Sequence, residues 1–535
     1  MRRYEGASAR QTRIVATVGR CPEGETWPAY LDRLVLAGVD VLRLNLSHVS
    51  AGYSCEQEIL AWANRPVADR SAPTVAVLAD MQGPKARIMA PPGDGVQLVD
   101  GELISLAPPG HHPEVTGQQI AERLEVSEAT GSAIVRSLAG LLASNPGLQP
   151  LMLLGDGDWV LRVLNHDDRG LVALVEAGGR VSGRKGVTLR GVDIDLDPFP
   201  AKDQADLRFC LKQGIDFVAI SFVRGAADIR RVKAFIDAEL PAGAERVPVI
   251  AKIETLSATE AIDEILDVAD GIMIARGDLG LQLGLSEVPL MQKMLALKAR
   301  ARGKPAIVAT QMLESMIHNP APTRAEATDV FNAVLDGGDA VMLSAETSVG
   351  TRPCVAVQTI DELARAAERY RADPEHIKRD RKAMRRHARA NAEDPYIGRI
   401  NEEFALTAVQ FGEHIPARAV VSATRSGGTP RRQSRYRPAI PLLAVCNSDR
   451  VARSLLLCYG VHPIVLRDYD ANLAGRNKLV DLARETLRRD YGLRGGDAIV
   501  LTAGIDWPRG GTNSLRVLVE DLEGKNKRFS ATVSI

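Results

Sequence analysis

The residues best suited to chemistry lie in one stretch of the chain, Val249–Gly280. Lys252 and Glu254 end an apolar run and stand two residues apart, so a β-strand points both side chains to the same side. Asp278 ends a second apolar run and can face them from the neighbouring strand. Two carboxylates beside an ammonium group predict a site for a hard divalent cation such as Mg²⁺, with the lysine free to neutralise a phosphoryl group. The alternative is a pair of structural salt bridges at the rim of a sheet.

The elements that must position these residues are two strands and the helix between them. The apolar runs Val249–Ile253 and Gly271–Ala275 are continuous, as expected for strands that are buried on both faces. Ser257 and Glu260 have the spacing of a capping box, which predicts that a helix begins there and continues to about Val268. The pattern is that of a parallel βαβ unit with its charged residues at the carboxyl ends of the strands.

Apolar runs of the same kind recur along the chain, and most are followed by a helical pattern. The eight predicted strands are Arg13–Val18, Val39–Leu44, Thr74–Ala79, Phe217–Ile220, Val249–Ile253, Ile272–Ala275, Ala306–Ala309 and Ala340–Leu343. Eight strands that alternate with helices predict a (β/α)8 barrel, in which active sites lie at the carboxyl ends of the strands. The expected fold class is therefore α/β: a (β/α)8 TIM barrel with an inserted lid domain and a C-terminal open α/β domain.

The pattern breaks between the third and fourth strands, which predicts an inserted domain over residues 88–185. Its predicted short strands are Val96–Leu98, Leu103–Leu106, Trp159–Val163 and Leu171–Val175. Between them, Gln118–Leu142 has helical periodicity. Segments inserted after a barrel strand lie over the site and often act as lids. The barrel is then expected to comprise residues 1–87 and 186–370.

Residues 371–400 are strongly basic, and a second α/β pattern follows over residues 401–535. The basic stretch could bind phosphate, but a solvated helix or linker is the commoner outcome of such a run. The predicted strands of the second pattern are Ala419–Ala423, Leu442–Val445, Ile464–Leu466, Ala498–Thr502 and Leu515–Val519. This segment is expected to be a regulatory domain.

Two glycine-rich loops of the C-terminal segment have the composition of phosphate-binding loops. The first contains Thr424, Arg425, Ser426, Gly427 and Thr429. Small hydroxyl and glycine residues after a strand let backbone N–H groups cradle a phosphate. The second loop carries a cation, Arg509. The alternative is that both loops are ordinary connections between strands and helices.

Length, composition and charge set the broad class. A chain of 535 residues is too long for one core, and 45% hydrophobic residues predict a globular chain with several domains. The 67 basic and 67 acidic residues cancel, so no global basic field argues for nucleic acid. Six widely spaced cysteines show no zinc or redox pattern and suit a reducing cytoplasm. No signal peptide and no run of about 20 apolar residues is seen, so neither export nor a membrane span is expected.

Five motifs resemble those of the pyruvate kinase family, in the same order along the chain. They are RLNLSH at 43–48, SFVR at 221–224, AKIE at 251–254, IARGDLG at 274–280 and ATQMLESM at 309–316. GRKGVTLRG at 183–191 resembles the segment where the family's lid rejoins its barrel. The loops with Thr424 and Arg509 resemble the family's sugar-phosphate effector site. The likeness covers almost the whole chain.

The resemblance implies transfer of a phosphoryl group from phosphoenolpyruvate to ADP, giving pyruvate and ATP. It implies that Glu254 and Asp278 bind Mg²⁺ or Mn²⁺, and that Lys252 and Arg43 compensate the charge of the phosphoryl group in flight. The backbone N–H groups of Gly277 and Asp278 open a helix and are expected to hold the substrate carboxylate.

The resemblance gives further roles to residues at other strand ends. Thr310 lies where the family places a hydroxyl near the enolate, in a proton relay, and Ser221 belongs to the same catalytic set. The positions that approach the nucleotide match Asn45, His48, Arg87 and Lys185. Taken alone, His48 is better explained as a satisfied loop histidine, so its role rests on the whole set. By the same analogy the protein is expected to be a cytoplasmic homotetramer with a sugar-phosphate or nucleotide effector.

One departure from the family pattern concerns monovalent cations. Many members need K⁺ near positions matching Asn45, Ser47 and Asp80, and they have an acidic residue where this chain has Lys85. A Gly-Pro turn before Lys85 could fold its ammonium back toward Asp80, where it would supply the charge of K⁺. Members with lysine at this position are the K⁺-independent kind, so K⁺ is not expected to be required. The alternative is a solvent-facing lysine at the lid hinge.

Two other functions stay open at this point. A Mg²⁺-dependent lyase or aldolase of the phosphoenolpyruvate/pyruvate barrel class would share the carboxylates and the cations, but it would need neither the lid nor the C-terminal domain. A metabolite-binding relative without turnover would keep the fold. The intact catalytic set, Arg43, Lys252, Glu254, Asp278 and Thr310, argues against that possibility. Formation of ATP, as opposed to cleavage of a carbon–carbon bond, distinguishes the two enzymes.

Overall fold

The computed structural model describes residues 10–66, 74–91, 93–113, 119–390, 397–467, 473–503, 514–520 and 531–534. The first part of the chain forms three parallel strands and two helices. In chain order they are β1 (Arg13–Val18), α1 (Trp27–Ala37), β2 (Val41–Asn45), α2 (Ser54–Ala63) and β3 (Ala76–Asp80). Every residue of β1 and β3 is buried, as expected for strands that are covered on both faces.

A separate β-structure follows β3. In chain order its elements are β4 (Val96–Leu98), β5 (Leu103–Ala107), β6 (Ile120–Glu125), α3 (Glu128–Ser144), β7 (Leu151–Leu154), β8 (Trp159–His166), β9 (Leu171–Ala177), β10 (Gly179–Val181) and β11 (Val187–Leu189). Six strands form one sheet in the order β11-β7-β8-β9-β5-β6, and β4 pairs with β10. The segment has a hydrophobic core of its own, with Leu154, Leu161 and Ala173 fully buried.

The helix predicted over Gln118–Leu142 is wrong in its first part. Ile120–Glu125 is a strand that runs parallel to β5. The helix begins only at Glu128, after Ser127, whose hydroxyl accepts the N–H of Thr130 at 3.3 Å. Burial nearly alternates along β6, which is the period of a half-buried strand, and pairing with β5 overrides the helical spacing.

The chain then returns to complete the barrel. The elements are α4 (Ala201–Gln213), β12 (Phe217–Ile220), α5 (Ala226–Glu239), β13 (Val249–Ile253), α6 (Leu256–Glu260), α7 (Ile262–Val268), β14 (Gly271–Ala275), α8 (Arg276–Leu283), α9 (Val288–Ala301), β15 (Ala306–Ala309), α10 (Arg324–Leu335), β16 (Ala340–Leu343), α11 (Ala345–Ser348) and α12 (Pro353–Arg371). Eight parallel strands close in the order β1-β16-β15-β14-β13-β12-β3-β2. The predicted fold class is confirmed, and each predicted run overlaps an observed strand.

The helix after β13 begins differently from the predicted capping box. Thr255, two residues before Ser257, is the N-cap, and its hydroxyl accepts the N–H of Ala258 at 3.1 Å. The N–H of Ser257 instead donates to Asp193 Oδ2 at 3.0 Å, in the segment that rejoins the barrel. The helix is also interrupted at Ala261, between α6 and α7. A threonine at the earlier position serves the same capping role, so the prediction had the wrong residue.

A second sheet follows two helices, α13 (Pro374–Ala390) and α14 (Ile397–His414). Its elements are β17 (Val420–Thr424), α15 (Gly428–Ser434), β18 (Leu442–Cys446), α16 (Asp449–Ser454), β19 (Val461–Val465), α17 (Leu473–Tyr491), β20 (Ala498–Ala503), β21 (Ser514–Val519) and β22 (Ala531–Ser534). The strand order is β19-β18-β17-β20-β21-β22. The third strand begins at Val461 rather than at Ile464 as predicted, because an edge strand tolerates Pro463.

The basic segment is helical over α13, and its arginines pair with acidic residues of α14. Arg381 donates to the two carboxylate oxygens of Glu413 at 2.5 and 2.7 Å, and Arg385 pairs with Glu403 at 2.6 Å. These contacts favour a structural helix over a phosphate-binding patch. In the described part of the chain no helix, this one included, is long and apolar enough to cross a membrane.

Buried ion pairs join the C-terminal sheet to the amino-terminal end of the barrel. Arg437 Nη1 lies 2.6 Å from Asp339 Oδ1, just before β16, and Arg453 Nε lies 2.9 Å from Asp216 Oδ1, just before β12. Arg13, the first residue of β1, donates to the carbonyl oxygen of Cys458 at 3.0 Å. The C-terminal sheet therefore packs against the end of the barrel that lies opposite the carboxyl ends of its strands.

Candidate active site

Polar side chains from neighbouring strands meet at the carboxyl end of the barrel. The register places Asn45 at the end of β2 opposite Asp80 at the end of β3, and Asp80 opposite Ala219 of β12. Lys252, near the end of β13, lies opposite Met273 of β14. Because parallel strands end at the same edge, the residues that end or follow β2, β3 and β12 to β15 lie around one opening.

Lys252 lies at the centre of the polar cluster. Its ammonium donates to Ser221 Oγ at 2.7 Å and lies 3.3 Å from Asp80 Oδ1 and 3.5 Å from Glu254 Oε2. Ser221 in turn donates to the carbonyl oxygen of Met81 at 2.7 Å, so its hydroxyl is oriented to accept from the lysine. Burial alone lowers the pKa of Lys252, but Asp80 and Glu254 raise it by more, and the net pKa is above its usual value. The ammonium is therefore charged at neutral pH.

Asp80 connects Lys252 with a second cation, Arg43. Arg43 Nε donates to Asp80 Oδ2 at 2.7 Å, and Nη1 donates to Thr17 Oγ1 at 2.9 Å. Burial acts to raise the pKa of Asp80, but Lys252 and Arg43 outweigh it, so the net pKa lies below its usual value. Sequence reasoning missed Thr17, although a hydroxyl near the end of an apolar strand was a signal for it.

Glu254 presents one buried oxygen that has no hydrogen-bond partner. Its Oε1 accepts the N–H of Phe222 at 2.7 Å, whereas Oε2 has only the ionic contact with Lys252. Burial raises the pKa of Glu254 above its usual value, against the lowering effect of Lys252. Phe222 has a φ of +54°, a strained conformation for a non-glycine residue that aims its N–H at Glu254. The free oxygen makes Glu254 suited to receive a further cation.

Asp278 lies in the first turn of α8 and forms an ion pair that the sequence did not predict. Lys85 Nζ donates to Asp278 Oδ1 at 2.8 Å. The expected pairing of Lys85 with Asp80 is therefore wrong, because both oxygens of Asp80 face Arg43 and Lys252. The lysine stem also passes over Gly186, where an added β-carbon would lie 2.8 Å from Lys85 Cε. Lys85 thus faces a predicted metal ligand instead of pointing into solvent.

The turn that carries Lys85 is held by an aspartate that sequence reasoning missed. Asp203, in the first turn of α4, accepts the N–H of Gly83 at 2.9 Å and is almost fully buried. Burial raises the pKa of Asp203 to about 6. Gly83 has a φ of +70°, and a β-carbon there would lie 2.6 Å from the β-carbon of Ser221. Only glycine fits this turn, which fixes the direction of the chain between β3 and Lys85.

Thr310 and Gly277 are linked by a hydrogen bond. The N–H of Gly277 donates to Thr310 Oγ1 at 2.9 Å, and the hydroxyl donates to the carbonyl oxygen of Ala309 at 2.6 Å. Thr310 and Gln311 have φ values of +69° and +53°, two adjacent residues in the left-handed region. Such strain persists only where surrounding contacts enforce it.

Arg276, which was not among the predicted site residues, supplies those contacts. Its Nη2 donates to the carbonyl oxygen of Thr310 at 2.7 Å, and its Nε donates to that of Ala309 at 3.3 Å. Nη1 forms an ion pair with Asp329 at 2.7 Å, which fixes the guanidinium group. A charged residue directly after an apolar strand was the signal for Arg276. The sequence could not show that its side chain points at the backbone of Ala309 and Thr310.

The residues expected to approach the nucleotide lie at or just after the end of β2 and at the two junctions of the inserted segment. Arg87 forms a β-bridge with Gly186, next to Lys185, whose ammonium lies 5.4 Å from the centre of the Trp159 ring. His48 is exposed at the end of a short 3₁₀ helix. Asn45 caps that helix by accepting the N–H of Ser47 at 3.3 Å, so Asn45 and Ser47 have a local structural role here.

Comparison with known proteins agrees with this geometry. Residues 9–357 match the family described as pyruvate kinase, barrel domain, and residues 402–518 match pyruvate kinase, alpha/beta domain. The chain belongs to the pyruvate kinase family. It is 35% identical over 511 residues to the pyruvate kinase of Sporosarcina psychrophila, covering 95% of this chain and 80% of the relative. It is 36% identical over 526 residues to that of Corynebacterium efficiens, covering 97% and 99%.

The pyruvate kinase family is a family of phosphotransferases that generally depend on a divalent metal, and the donors in this site fit such an ion. Among the described residues no group of three or more His, Cys, Asp or Glu could hold a metal. Mg²⁺ is commonly bound by one or two carboxylates, with substrate phosphates and water as the other ligands. Glu254 Oε2, which accepts no hydrogen bond, and the carboxylate of Asp278 fit a cation that binds together with its substrate.

The first glycine-rich loop of the pyruvate kinase C-terminal domain is stabilised by its own residues. Thr424 Oγ1 accepts the N–H of Gly427 at 2.8 Å, so this backbone donor is already used. Arg425 and Ser426 are exposed, and Thr429 is half-buried. The second loop, with Arg509, lies outside the described residues.

Proposed function

We propose that this chain transfers the phosphoryl group of phosphoenolpyruvate to ADP, giving pyruvate and ATP in the last step of glycolysis. One observation carries the proposal: the charged ammonium of Lys252 lies between Asp80, Ser221 and Glu254 at the carboxyl end of the barrel. The relatives named pyruvate kinase support it over the lyase or aldolase alternative, since they match both domains.

Lys252 and Arg43 would compensate the charge on the phosphoryl group as it moves. Phosphoryl transfer needs positioning and electrostatic stabilisation more than covalent help from the protein. Asp80 contacts both cations and keeps them close together before any substrate binds. This preorganisation means that the donors need not rearrange when charge develops in the transition state.

Glu254 and Asp278 would hold Mg²⁺ or Mn²⁺. When bound, the cation supplies positive charge for the carboxylate and phosphoryl oxygens of the substrate. Ionised Glu254 is needed for this, and its raised pKa means that metal binding must displace a proton when the pH is low. Lys85 contacts Asp278, so when the metal binds, Lys85 would either move away from Asp278 or share its carboxylate with the metal.

Thr310 would take part in the proton relay to the enolate carbon. Its hydroxyl already joins the N–H of Gly277 to the carbonyl oxygen of Ala309, so it is oriented before substrate arrives. A substrate carboxylate would take over the N–H groups of Gly277 and Asp278. Arg276 positions the Thr310 turn through its backbone oxygens without touching the substrate.

The inserted segment, residues 88–185, would act as a lid that brings cations to the nucleotide. Arg87 and Lys185 lie at its two junctions with the barrel and come together through the bridge with Gly186. His48 and Asn45 would approach the nucleotide from the end of β2. Closure of such a segment excludes water and completes the site.

The proposal includes independence from K⁺. Lys85 supplies a fixed ammonium group inside the site, 2.8 Å from Asp278 Oδ1. It therefore places positive charge near the metal ligands rather than near Asp80, Asn45 and Ser47, where the family's K⁺ is expected. Its charge would still help to position the phosphate.

Regulation through the C-terminal domain, a homotetrameric assembly and a cytoplasmic location complete the proposal. The exposed Arg425 and Ser426 support an anionic effector, either a sugar phosphate or a nucleotide. Kinetics with added effectors, sedimentation and cell fractionation test these three parts separately.

The test of the catalytic proposal is a coupled assay for ATP formed from ADP and phosphoenolpyruvate with Mg²⁺. We expect turnover by the wild type and a strongly reduced rate at low Mg²⁺ for Glu254→Gln, partly recovered at high Mg²⁺. Failure of the wild type to form ATP under these conditions would overturn the proposal. Cleavage of a carbon–carbon bond would establish the lyase instead.

A further inference from the structure

The inserted segment, residues 88–185, carries a single aromatic side chain near its junction with the barrel. Trp159 is the only Phe, Tyr or Trp of the segment, and it is the first residue of β8. It is 8% exposed, so most of the indole is covered. The ammonium of Lys185 lies 5.4 Å from the centre of the ring, which is within the range of a cation–π contact. The one aromatic ring of the segment therefore contacts a cation that the proposed function assigns to the nucleotide.

Two glycines make room for the indole and restrict its position. A β-carbon added at Gly155 would lie 3.1 Å from Trp159 Cζ3, and one added at Gly179 would lie 3.1 Å from Nε1. The two glycines have φ values of +66° and +137°, which favour glycine for a second reason. Trp159 also belongs to the hydrophobic core of the segment and pairs with Leu154 of β7. The ring is therefore a fixed surface against which the lysine is held.

Lys185 differs from the other lysines of the site because its partner is neutral. Lys252 lies 3.3 Å from Asp80 Oδ1, and that carboxylate offsets its charge. Lys85 is paired in the same way with Asp278 at 2.8 Å. Lys185 forms no ion pair with a described acidic side chain. An aromatic face attracts an ammonium group without neutralising it and leaves N–H donors directed away from the ring. Lys185 is therefore held in place and still able to bind an anion.

The residue next to Lys185 places this lysine beside the site. Gly186 forms a β-bridge with Arg87, the other cation at the junctions of the inserted segment. A β-carbon added at Gly186 would lie 2.8 Å from Lys85 Cε, and the Lys85 ammonium pairs with Asp278. Consecutive Cα atoms are about 3.8 Å apart. Lys185 thus lies one residue away from backbone that packs directly on a side chain of the site.

We propose that Trp159 is a positioning residue that holds the ammonium of Lys185 where it receives the phosphates of ADP. The inference rests on the proposed phosphoryl transfer and on the role given there to Lys185. It adds that the affinity for ADP depends on the indole ring, whereas the affinity for phosphoenolpyruvate does not. A lysine that is held before the nucleotide arrives loses less side-chain entropy on binding.

The experiment compares the two substrates in a double-mutant cycle of Trp159→Leu and Lys185→Met. The KM values for ADP and phosphoenolpyruvate are measured for each protein, and calorimetry with Mg²⁺ and ADP gives a Kd without turnover. We expect each single variant to raise the KM and the Kd for ADP about fivefold or more, the loss of about 1 kcal/mol. The KM for phosphoenolpyruvate should change little. The double variant should bind ADP no more weakly than Lys185→Met alone, because the ring acts only through the lysine.

Two further variants separate this role from packing. Leu161→Val is the matched control, because Leu161 lies two residues further along β8 on the same face and is fully buried in the same core. It should lower the thermal stability and leave the affinity for ADP unchanged. Trp159→Phe keeps an aromatic face and should recover much of the ADP affinity that Trp159→Leu loses.

A test that leaves the packing intact covers the case in which Trp159→Leu does not fold. Fluorinated tryptophan keeps the shape of the indole but withdraws electron density from its face, which weakens a cation–π contact. Its incorporation should weaken ADP binding by the wild-type chain. The same incorporation into Trp159→Phe should leave ADP binding unchanged, which controls for the other tryptophans.

Three results would overturn the positioning role. They are equal effects of Trp159→Leu on the KM values of both substrates, additive effects in the double variant, and ADP binding that does not respond to fluorination. An unchanged affinity for ADP in Lys185→Met would overturn the inference together with the nucleotide role of Lys185. Formation of ATP by the wild type would still leave the proposed phosphoryl transfer standing.

Discussion

Replacement of Lys252 by methionine is the sharpest test of how the site works. Methionine keeps an unbranched apolar stem of nearly the same length but removes the ammonium group that Asp80, Glu254 and Ser221 share. Substrate and metal should still bind, because their other partners remain. The loss should appear in kcat, since the ammonium acts mainly on charge that develops in the transition state.

The expected size of the loss follows from the distances in the cluster. A unit charge at 3.3 Å, the separation of Lys252 Nζ and Asp80 Oδ1, interacts by about 5 kcal/mol at an effective dielectric constant of about 20. A phosphoryl oxygen at a similar distance that gains about half a charge would be stabilised by about 2.5 kcal/mol. Since about 1.4 kcal/mol is tenfold in rate, kcat should fall about 60-fold.

The variant should also change the metal affinity in a definite direction. Lys252 lowers the pKa of Glu254 against the effect of burial, so its removal should raise that pKa further. Because the carboxylate must be ionised to bind Mg²⁺, the pH at which Mg²⁺ binds half-maximally should rise. Steady-state kinetics and Mg²⁺ titrations over a range of pH measure both effects.

The matched control is Lys298→Met, which removes an ammonium that pairs with Asp263 outside the site. Circular dichroism and thermal unfolding check that Lys252→Met is folded, because two buried carboxylates lose a partner. A folded Lys252→Met protein with a near-normal kcat would remove Lys252 from the mechanism and refute the reasoning.

Three further predictions follow from other contacts. The wild type should be fully active in K⁺-free buffer with a bulky organic counter-cation, whereas Lys85→Glu should lose activity and gain K⁺ dependence; stimulation of the wild type about tenfold or more by K⁺ would contradict this. The Asp203 pKa of about 6 exceeds its unfolded value, so its stabilising contribution is full below about pH 4 and is lost as the pH rises through 6. The melting temperature of Asp203→Asn minus that of the wild type should therefore rise between pH 4 and pH 7. A difference that does not change with pH would contradict this prediction. Arg276→Lys should lower kcat about tenfold or more with little change in KM, because lysine cannot hold the Thr310 turn with several hydrogen bonds; an unchanged kcat would dismiss that role.

The barrel could be predicted from the sequence because its signal is local. Strands such as β13 and β14 are continuous apolar runs with charged residues at or just after their ends, and burial on both faces requires an apolar composition. The same regularity placed Lys252, Glu254 and Asp278 at strand ends. The pattern did not predict β6, where pairing with the preceding strand β5 decided the structure, or the start of β19, where an edge position tolerates proline.

The contacts within the site depend on the path of the backbone and on where each side chain points, and neither can be read from the sequence. Lys85 was expected near Asp80 but pairs with Asp278, because the Gly83 turn held by Asp203 sets the path of the chain. The Arg276 side chain holds the neighbouring backbone at Thr310.

The most direct test of the central claim follows every phosphorus atom in one reaction. The purified full-length protein is incubated with Mg²⁺, ADP and phosphoenolpyruvate, and the mixture is observed by ³¹P nuclear magnetic resonance. We expect the phosphoenolpyruvate and ADP signals to be replaced, in equal amounts, by those of ATP, and Glu254→Gln to slow the exchange strongly. Release of inorganic phosphate without ATP, or unchanged signals with the wild type, would contradict the account.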